Sequence, residues 1–297
     1  MANDRTYRAI CFDLDGTLLP MDIDEFMGAY FRRLAAFVAA QGHDPEPFMA
    51  GLKAGTAAMA ANDGSRTNAE AFWDEMMRHV DPAEADWRAL ADDFYATDFD
   101  RIGDGFKPNP AVARTVAALR AKGYPLALTT MPMFPLRAVE KRLGWAGVDP
   151  AAFERITNYD NSKSIKPKPA YFAENLAALG VRGSDVLMVG NNTLEDMAFL
   201  DLGADGYLVT DCLLDPVGCG ASSMRHGSFD DLERWVGALP DCAVPATGIS
   251  AGPIEAAATQ RAMADNAVGA LDLEKAERQA AAVAADAAAH DVPRAEG

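Results

Sequence analysis

A chain of 297 residues, 49% of them hydrophobic, can bury a large core and hold more than one domain, and its formal charge of −17 argues against a phosphate-clasping nucleic-acid surface. Cys11, Cys212, Cys219 and Cys242 form no CxxC pair and have no partnering His cluster, so thiolate metal sites are not expected and reduced thiols are. No run is long enough to cross a bilayer and no leader precedes the first strand, which predicts a cytoplasmic protein without a membrane partner.

In chain order, the apolar run Ile10–Phe12 predicts a strand buried on both faces, ending in Asp13-Leu-Asp15-Gly-Thr17. Ile23, Phe26, Met27, Tyr30, Phe31, Leu34, Phe37 and Val38 fall at helical spacing, and Gly42 ends that helix. Further helices are predicted from Pro45 to about Asn62, around Phe72–Val80, and from a start at Asp81-Pro-Ala-Glu84 through Tyr95. Residues 22–100 thus carry no strand signal. Helix and strand then alternate: helix Val112–Lys122, strand Tyr124–Thr130, helix Leu136–Leu143, strand Phe153–Asn158, helix Tyr171–Leu179, strand Asp185–Gly190, helix Leu194–Leu202, strand Gly206–Thr210. That alternation predicts a parallel sheet covered on both faces. Phe229–Leu239 reads as a closing helix. Asp241–Gly252 has linker composition, and the Ala-rich remainder, short of large apolar residues, reads as a marginal helix or a disordered tail.

The chemistry gathers at strand ends. Asp13 and Asp15 stand where a buried strand breaks at Gly16, the end at which open α/β sheets bind ligands. Two carboxylates so close shift each other's pKa and suit a nucleophile beside a proton carrier. A calcium loop would need further oxygens, which Leu18, Leu19, Pro20 and Met21 do not supply. Thr129-Thr130 ends another strand, with Thr130 the better placed and Thr129 the alternative. Lys166-Pro-Lys-Pro169 opens a helix, with Lys163 and Lys168 read as solvated. Gly190-Asn-Asn-Thr-Leu-Glu-Asp196 follows a third strand, with Thr193 as the expected helix cap.

Taken together and in this order, these segments resemble the four motifs of the haloacid dehalogenase superfamily in its phosphatase form, over about residues 7–240. Met133-Phe-Pro135, Arg142-Leu-Gly-Trp-Ala-Gly147 and Leu208-Val-Thr-Asp-Cys212 resemble one bacterial branch with a helical cap. The resemblance implies a Rossmann-like doubly wound parallel sheet of order 5-4-1-2-3. It implies a core formed by residues 1–20 and 101–240, an all-helical cap at 21–100, and a tail at 241–297. It implies Asp13 as nucleophile, Asp15 as acid and base, and Lys166 as the neutralising cation. Thr130, Lys166 and the backbone amides at Leu14 and Met131 would hold the phosphoryl oxygens. Mg²⁺ would sit on Asp13, Asp15, Asn191 and Asp196. Two departures stand out: Met131 replaces the usual Asn, and Asn191 replaces the usual Asp, which lowers the charge offered to a metal. The implied activity is hydrolysis of a small phosphorylated metabolite through an aspartyl-phosphate. A phosphomutase of the same superfamily is the alternative, and so is a non-catalytic binding or regulatory protein. Arg32, Arg33, Lys53 and Arg66 are read mostly as surface. The oligomeric state stays open, a homodimer included.

Overall fold

The computed structural model describes residues 6–216 and 218–247. In it the strand that delivers the two aspartates, β1 (Ala9–Phe12), lies inside a six-stranded parallel sheet with every residue buried. Its neighbours are β2 (Leu126–Leu128), with Ile10 opposite Leu126, and β4 (Val186–Gly190), with Phe12 opposite Val189. β3 (Arg155–Ile156) closes one side, and β5 (Asp205–Val209) and β6 (His226–Gly227) close the other. The order 3-2-1-4-5 is the expected one read from the other edge, continued by a sixth strand. That strand is two residues long, too short for a periodic pattern, and is held by Leu208 N–H to Arg225 O at 2.8 Å and Thr210 N–H to Gly227 O at 2.9 Å. The chain leaves β1 for β2 on one side and reaches β4 on the other, so the crevice of the doubly wound sheet opens at the tip of β1.

Four helices fill the interval between β1 and β2: α1 (Ile23–Ala40), α2 (Pro45–Ala60), α3 (Asn68–Met76) and α4 (Trp87–Ala96). A 3-10 segment, Asp98–Gly105, follows them. Asp22, Asp44, Thr67 and Asp86 cap these four helices, each with a side-chain oxygen on a first-turn amide. The fourth helix starts later than expected. Asp81–Glu84 forms a separate turn whose Asp81 carbonyl receives the Trp87 indole N–H at 2.8 Å, and Asp86 is the true cap. The remaining helices, α5 (Pro110–Ala121), α6 (Leu136–Trp145), α7 (Pro169–Leu179) and α8 (Phe229–Gly237), follow the predicted alternation. The expected helix at Leu194–Leu202 is instead a turn and a 3-10 helix, Met197–Leu202, because the Asp196 carboxylate is drawn back onto the preceding loop.

The helical insertion is fastened to the sheet layer at one corner. Asn68, fully buried, donates its amide to Pro132 O at 3.2 Å and Ser164 O at 3.0 Å, and the Asn68 and Ala69 N–H groups bond Ser162 O and Tyr159 O at 2.8 Å each. Lys168, expected in solvent, is buried. Its ammonium caps the C-terminal end of α2 on Ala60 O at 2.6 Å and Asn62 O at 3.2 Å. The residues expected in the linker begin on the body itself: Cys242 N–H bonds Lys122 O at 2.7 Å and Ala246 N–H bonds Arg8 O at 2.9 Å. The rest of the expected tail, 248–297, lies outside the described residues. No described helix is long and apolar enough to cross a membrane, and all four cysteines are free.

Candidate active site

β1 ends with Phe12, and Asp13 N–H still bonds Val189 O at 2.9 Å, so the Asp13 carboxylate is carried on rigid sheet at the crevice. Lys166, from the loop before α7, reaches it from below: its ammonium donates to Asp13 Oδ1 at 2.7 Å and to Asp196 Oδ1 at 2.6 Å, with about 1% of the lysine side chain exposed. Burial pulls the ammonium pKa down, but the Asp13 and Asp196 carboxylates outweigh it and hold it well above the usual lysine range. Lys166 therefore stays charged.

Asp196, expected as a metal ligand, turns both carboxylate oxygens to protein donors. Its Oδ1 accepts from Lys166, and its Oδ2 accepts from the Asn191 and Asn192 N–H groups at 2.9 Å each. Both oxygens are engaged in fastening the lysine to the loop. Gly190 makes this possible, since a Cβ there would lie 2.2 Å from Asp196 Oδ2. The cap of this turn is Asn192, whose Oδ1 accepts from Leu194 and Glu195 N–H, while Thr193 donates to Asp215 instead. Asn191 sends its amide nitrogen to Cys212 O at 2.6 Å, which turns Oδ1 toward Thr17 at 3.1 Å. The same Thr17 hydroxyl lies 3.4 Å from Asp13 Oδ2, so the Asn191 and Asp13 oxygens meet around one hydroxyl.

The two threonines separate cleanly. Thr129 spends its hydroxyl inside the sheet, on Phe12 O at 3.3 Å and Met188 Sδ at 3.5 Å. The Thr130 hydroxyl is buried without a partner, while its carbonyl is fixed by Tyr171 OH at 2.7 Å and Thr157 OH at 2.9 Å. A buried hydroxyl of this kind suits a ligand oxygen. The Leu14 and Met131 N–H groups likewise meet no acceptor among the described residues.

Asp15 holds the feature that motif reading missed. Its Oδ2 forms an ion pair with Arg142 of α6, a side chain about 1% exposed and 127 residues away in sequence. The guanidinium lies 4.6 Å over the Phe134 ring and 5.7 Å from that of Phe26, so α1, α6 and the loop after β2 all hold it. Arg142 Nη2 and Asp15 Oδ1 are both buried without a partner. Burial raises the Asp15 pKa, and Arg142 opposes that rise. Glu195 faces the same cluster. Burial, together with the Asp196, Asp13 and Asp15 carboxylates and against Lys166, pushes it up to about 7.

Four acids, Asp13, Asp15, Glu195 and Asp196, thus face two cations, Lys166 and Arg142, in a largely buried site, so that full ionisation of the acids would leave two negative charges uncompensated, and the crowding raises the pKa of Asp15, Glu195 and Asp196. That crowding of acids, with hard oxygens on Asp13 and Asn191, fits a divalent cation of the Mg²⁺ type, which would favour their ionised forms. Among the described residues no three His, Cys, Asp or Glu side chains enclose an ion alone, so carbonyl and amide oxygens would have to join them. The basic residues of the insertion stand apart: Arg33 pairs with Asp98 and Arg66 with Asp74, while Arg32 and Lys53 are exposed.

The family model for haloacid dehalogenase-like hydrolases matches residues 7–200. A phosphoglycolate phosphatase from Caulobacter vibrioides is 26% identical over 249 residues, covering 83% of this chain and 98% of that protein. Similar solved structures include a HAD phosphatase from Thermococcus onnurineus, with a TM-score of 0.47, 17% identity, and coverage of 78% of this chain and 98% of that one. They also include the L-2-haloacid dehalogenase of Xanthobacter autotrophicus with chloropropionic acid covalently bound, again with a TM-score of 0.47, 17% identity and 78% and 98% coverage.

Proposed function

The chain belongs to the haloacid dehalogenase-like hydrolase family, and from that premise we propose that it is a Mg²⁺-dependent phosphoric monoester hydrolase acting through an aspartyl-phosphate. The observation that carries this reading is the buried contact of the Lys166 ammonium with Asp13 Oδ1 at 2.7 Å, which leaves a carboxylate at a strand tip beside a fixed positive charge. The name of the Caulobacter relative agrees with phosphoryl chemistry.

In this reading Asp13 attacks phosphorus, the Asp13–P bond forms and the P–O bond to the leaving alcohol breaks. Asp15 gives its proton to the departing oxygen. It then takes a proton from water, which attacks phosphorus, releases inorganic phosphate and returns Asp13. Lys166 spreads positive charge under the transferring group, and the Thr130 hydroxyl with the Leu14 and Met131 amides takes its oxygens. Asp13, the Asp15 carbonyl and Asn191 would hold Mg²⁺, with the Asp196 and Glu195 carboxylates adding negative charge around it. The bound ion would offset the negative charge of phosphate against the acids. Residues 21–100 act as a cap over the core of 1–20 and 101–240, excluding water and selecting the alcohol.

Asp13→Asn tests the reading, because an amide is no nucleophile. Phosphate release from a panel of phosphorylated metabolites with Mg²⁺ should fall by at least about 10³-fold, roughly 4 kcal/mol of barrier. Wild-type-like release by the variant would sink the mechanism.

A further inference from the structure

Between the helical insertion and the loop that follows β2 lies a cavity of about 100 Å³. Tyr30, Trp73, Tyr95, Met133, Phe134 and Tyr159 make much of its wall, and no Asp, Glu, Lys, Arg or His lines it. Its polar groups are already satisfied or neutral. The Tyr30 and Tyr95 hydroxyls bond each other at 2.7 Å, and burial pushes both phenols up, so they carry no charge. Thr56 gives its hydroxyl to Leu52 O at 2.8 Å.

Three connections tie this cavity to the phosphoryl site. The loop after β2, which carries Thr130, also supplies Met133 and Phe134 to the wall. Thr157, whose hydroxyl bonds Thr130 O, stands two residues before Tyr159. Most directly, the Phe134 ring that lines the cavity also carries the Arg142 guanidinium at 4.6 Å, and Arg142 is the ion-pair partner of Asp15. The group that hands a proton to the leaving oxygen thus stands behind the cavity's wall.

We infer that this cavity receives the alcohol part of the substrate, and that the substrate is a phosphate ester of an apolar alcohol with a branched alkyl group or a single aromatic ring. The assignment of the phosphoryl end rests on the phosphatase reading; the apolar site rests on the cavity itself. Each methylene moved from water into such a wall strengthens binding about fourfold. A carboxylate placed there would lose its hydration and find no cation on the lining, so an acid such as phosphoglycolate is selected against. An apolar cavity of about 150 Å³ holds a benzene ring; this one is somewhat smaller, and one of its lining residues, Phe31, is 41% exposed.

The test uses the full chain in two independent measurements. In the first, 2-phenylethyl phosphate and 3-methylbutyl phosphate are compared with 2-hydroxyethyl phosphate and phosphoglycolate for Mg²⁺-dependent phosphate release. The apolar esters should lead by at least tenfold in kcat/KM. In the second, tryptophan fluorescence is titrated with 2-phenylethanol alone. Saturable quenching is expected, lost in Trp73→Phe. Thr56→Phe and Met27→Trp, both placed to fill the cavity, should weaken that titration and lower the apolar-to-hydroxyethyl ratio by tenfold or more. Turnover with equal or reversed preference, or no saturable 2-phenylethanol binding, overturns the inference and makes the cavity a packing gap within the insertion. Saturable binding that the filling variants abolish, with no release from any ester, upholds the apolar site and overturns the phosphatase reading instead.

Discussion

Arg142 shows how much a single buried side chain can decide. It is almost wholly enclosed, yet its guanidinium is spent on one oxygen of Asp15, on Ala138 O at 3.3 Å and on the faces of two aromatic rings. A buried ion pair with an unsatisfied donor on one side and an unsatisfied acceptor on the other is poor value for stability. Its better use is to aim Asp15. Arg142→Gln should therefore lower kcat for an alkyl phosphate by about 10²-fold, the usual worth of a positioned acid. 4-Nitrophenyl phosphate, whose leaving group needs no proton, should lose much less in its phosphorylation burst. Equal losses on both substrates, accompanied only by a lower Tm, would reduce Arg142 to a packing role. Asn191 is the second residue to probe. Asn191→Asp adds a carboxylate where Oδ1 now meets Thr17, and should lower the Mg²⁺ concentration for half-maximal activity by about tenfold. The structure adds a cost: the amide that donates to Cys212 O becomes an oxygen facing an oxygen, so Tm should fall as the metal requirement eases. A magnesium titration and a melt on the same preparation check both halves.

Among the elements, legibility tracked how local the signal was. β1, β2 and β4 are readable because a short apolar run followed by a polar turn is complete within a few residues, which also puts Asp13 just past the end of β1 and Thr130 just past that of β2. Arg142 is not, since its partner Asp15 lies 127 positions away, while its own helix reads as an ordinary amphipathic one. β6 and the 3-10 helix at Met197–Leu202 were misjudged or missed because tertiary bonds, not periodicity, define them. Lys168 looked solvated for a like reason: nothing in Lys-Pro-Lys-Pro announces the end of α2 above it. The meeting of α2 and α3 was equally silent in sequence. Gly55 of α2 lies so close to α3 that a Cβ would stand 2.6 Å from the Phe72 ring and 2.9 Å from the Phe72 carbonyl oxygen. The backbone atom cannot swing aside. Gly55→Ala should thus cost about 1–3 kcal/mol by forcing the helices apart, despite alanine's better helix propensity. It should also reshape the cavity that Phe72 borders. A rise in Tm would show that the two helices have room to spare.

At the scale of the whole molecule, the end of the described chain works as a strap across the sheet's lower rim. Lys122 Nζ reaches Leu239 O at 2.5 Å, Tyr124 OH reaches Pro240 O at 2.9 Å, and Cys242 N–H returns to Lys122 O at 2.7 Å. Ala246 N–H then bonds Arg8 O at 2.9 Å, next to the start of β1. These bonds join the approach to β2 with the approach to β1, the two strands whose tips carry Thr130 and Asp13. Composition puts linker character from Asp241 onward, yet Cys242 and Ala246 are bonded to the body. A chain ending at Thr247 should match the full chain in melting temperature and in phosphate release from the metabolite panel, since the residues beyond are Ala-rich and short of large apolar side chains. A chain ending at Leu239 should lose about 1–3 kcal/mol, because several main-chain partners go unpaired and each net bond is worth about 1 kcal/mol. For a body of this size that is a fall of roughly 2–4 °C per kcal/mol. Activity at low temperature should persist, because no strap residue touches the crevice. If both truncations melt alike, residues 240–246 contribute nothing to the body; if the Thr247 chain is already inactive, segments past it complete the site or an obligatory dimer.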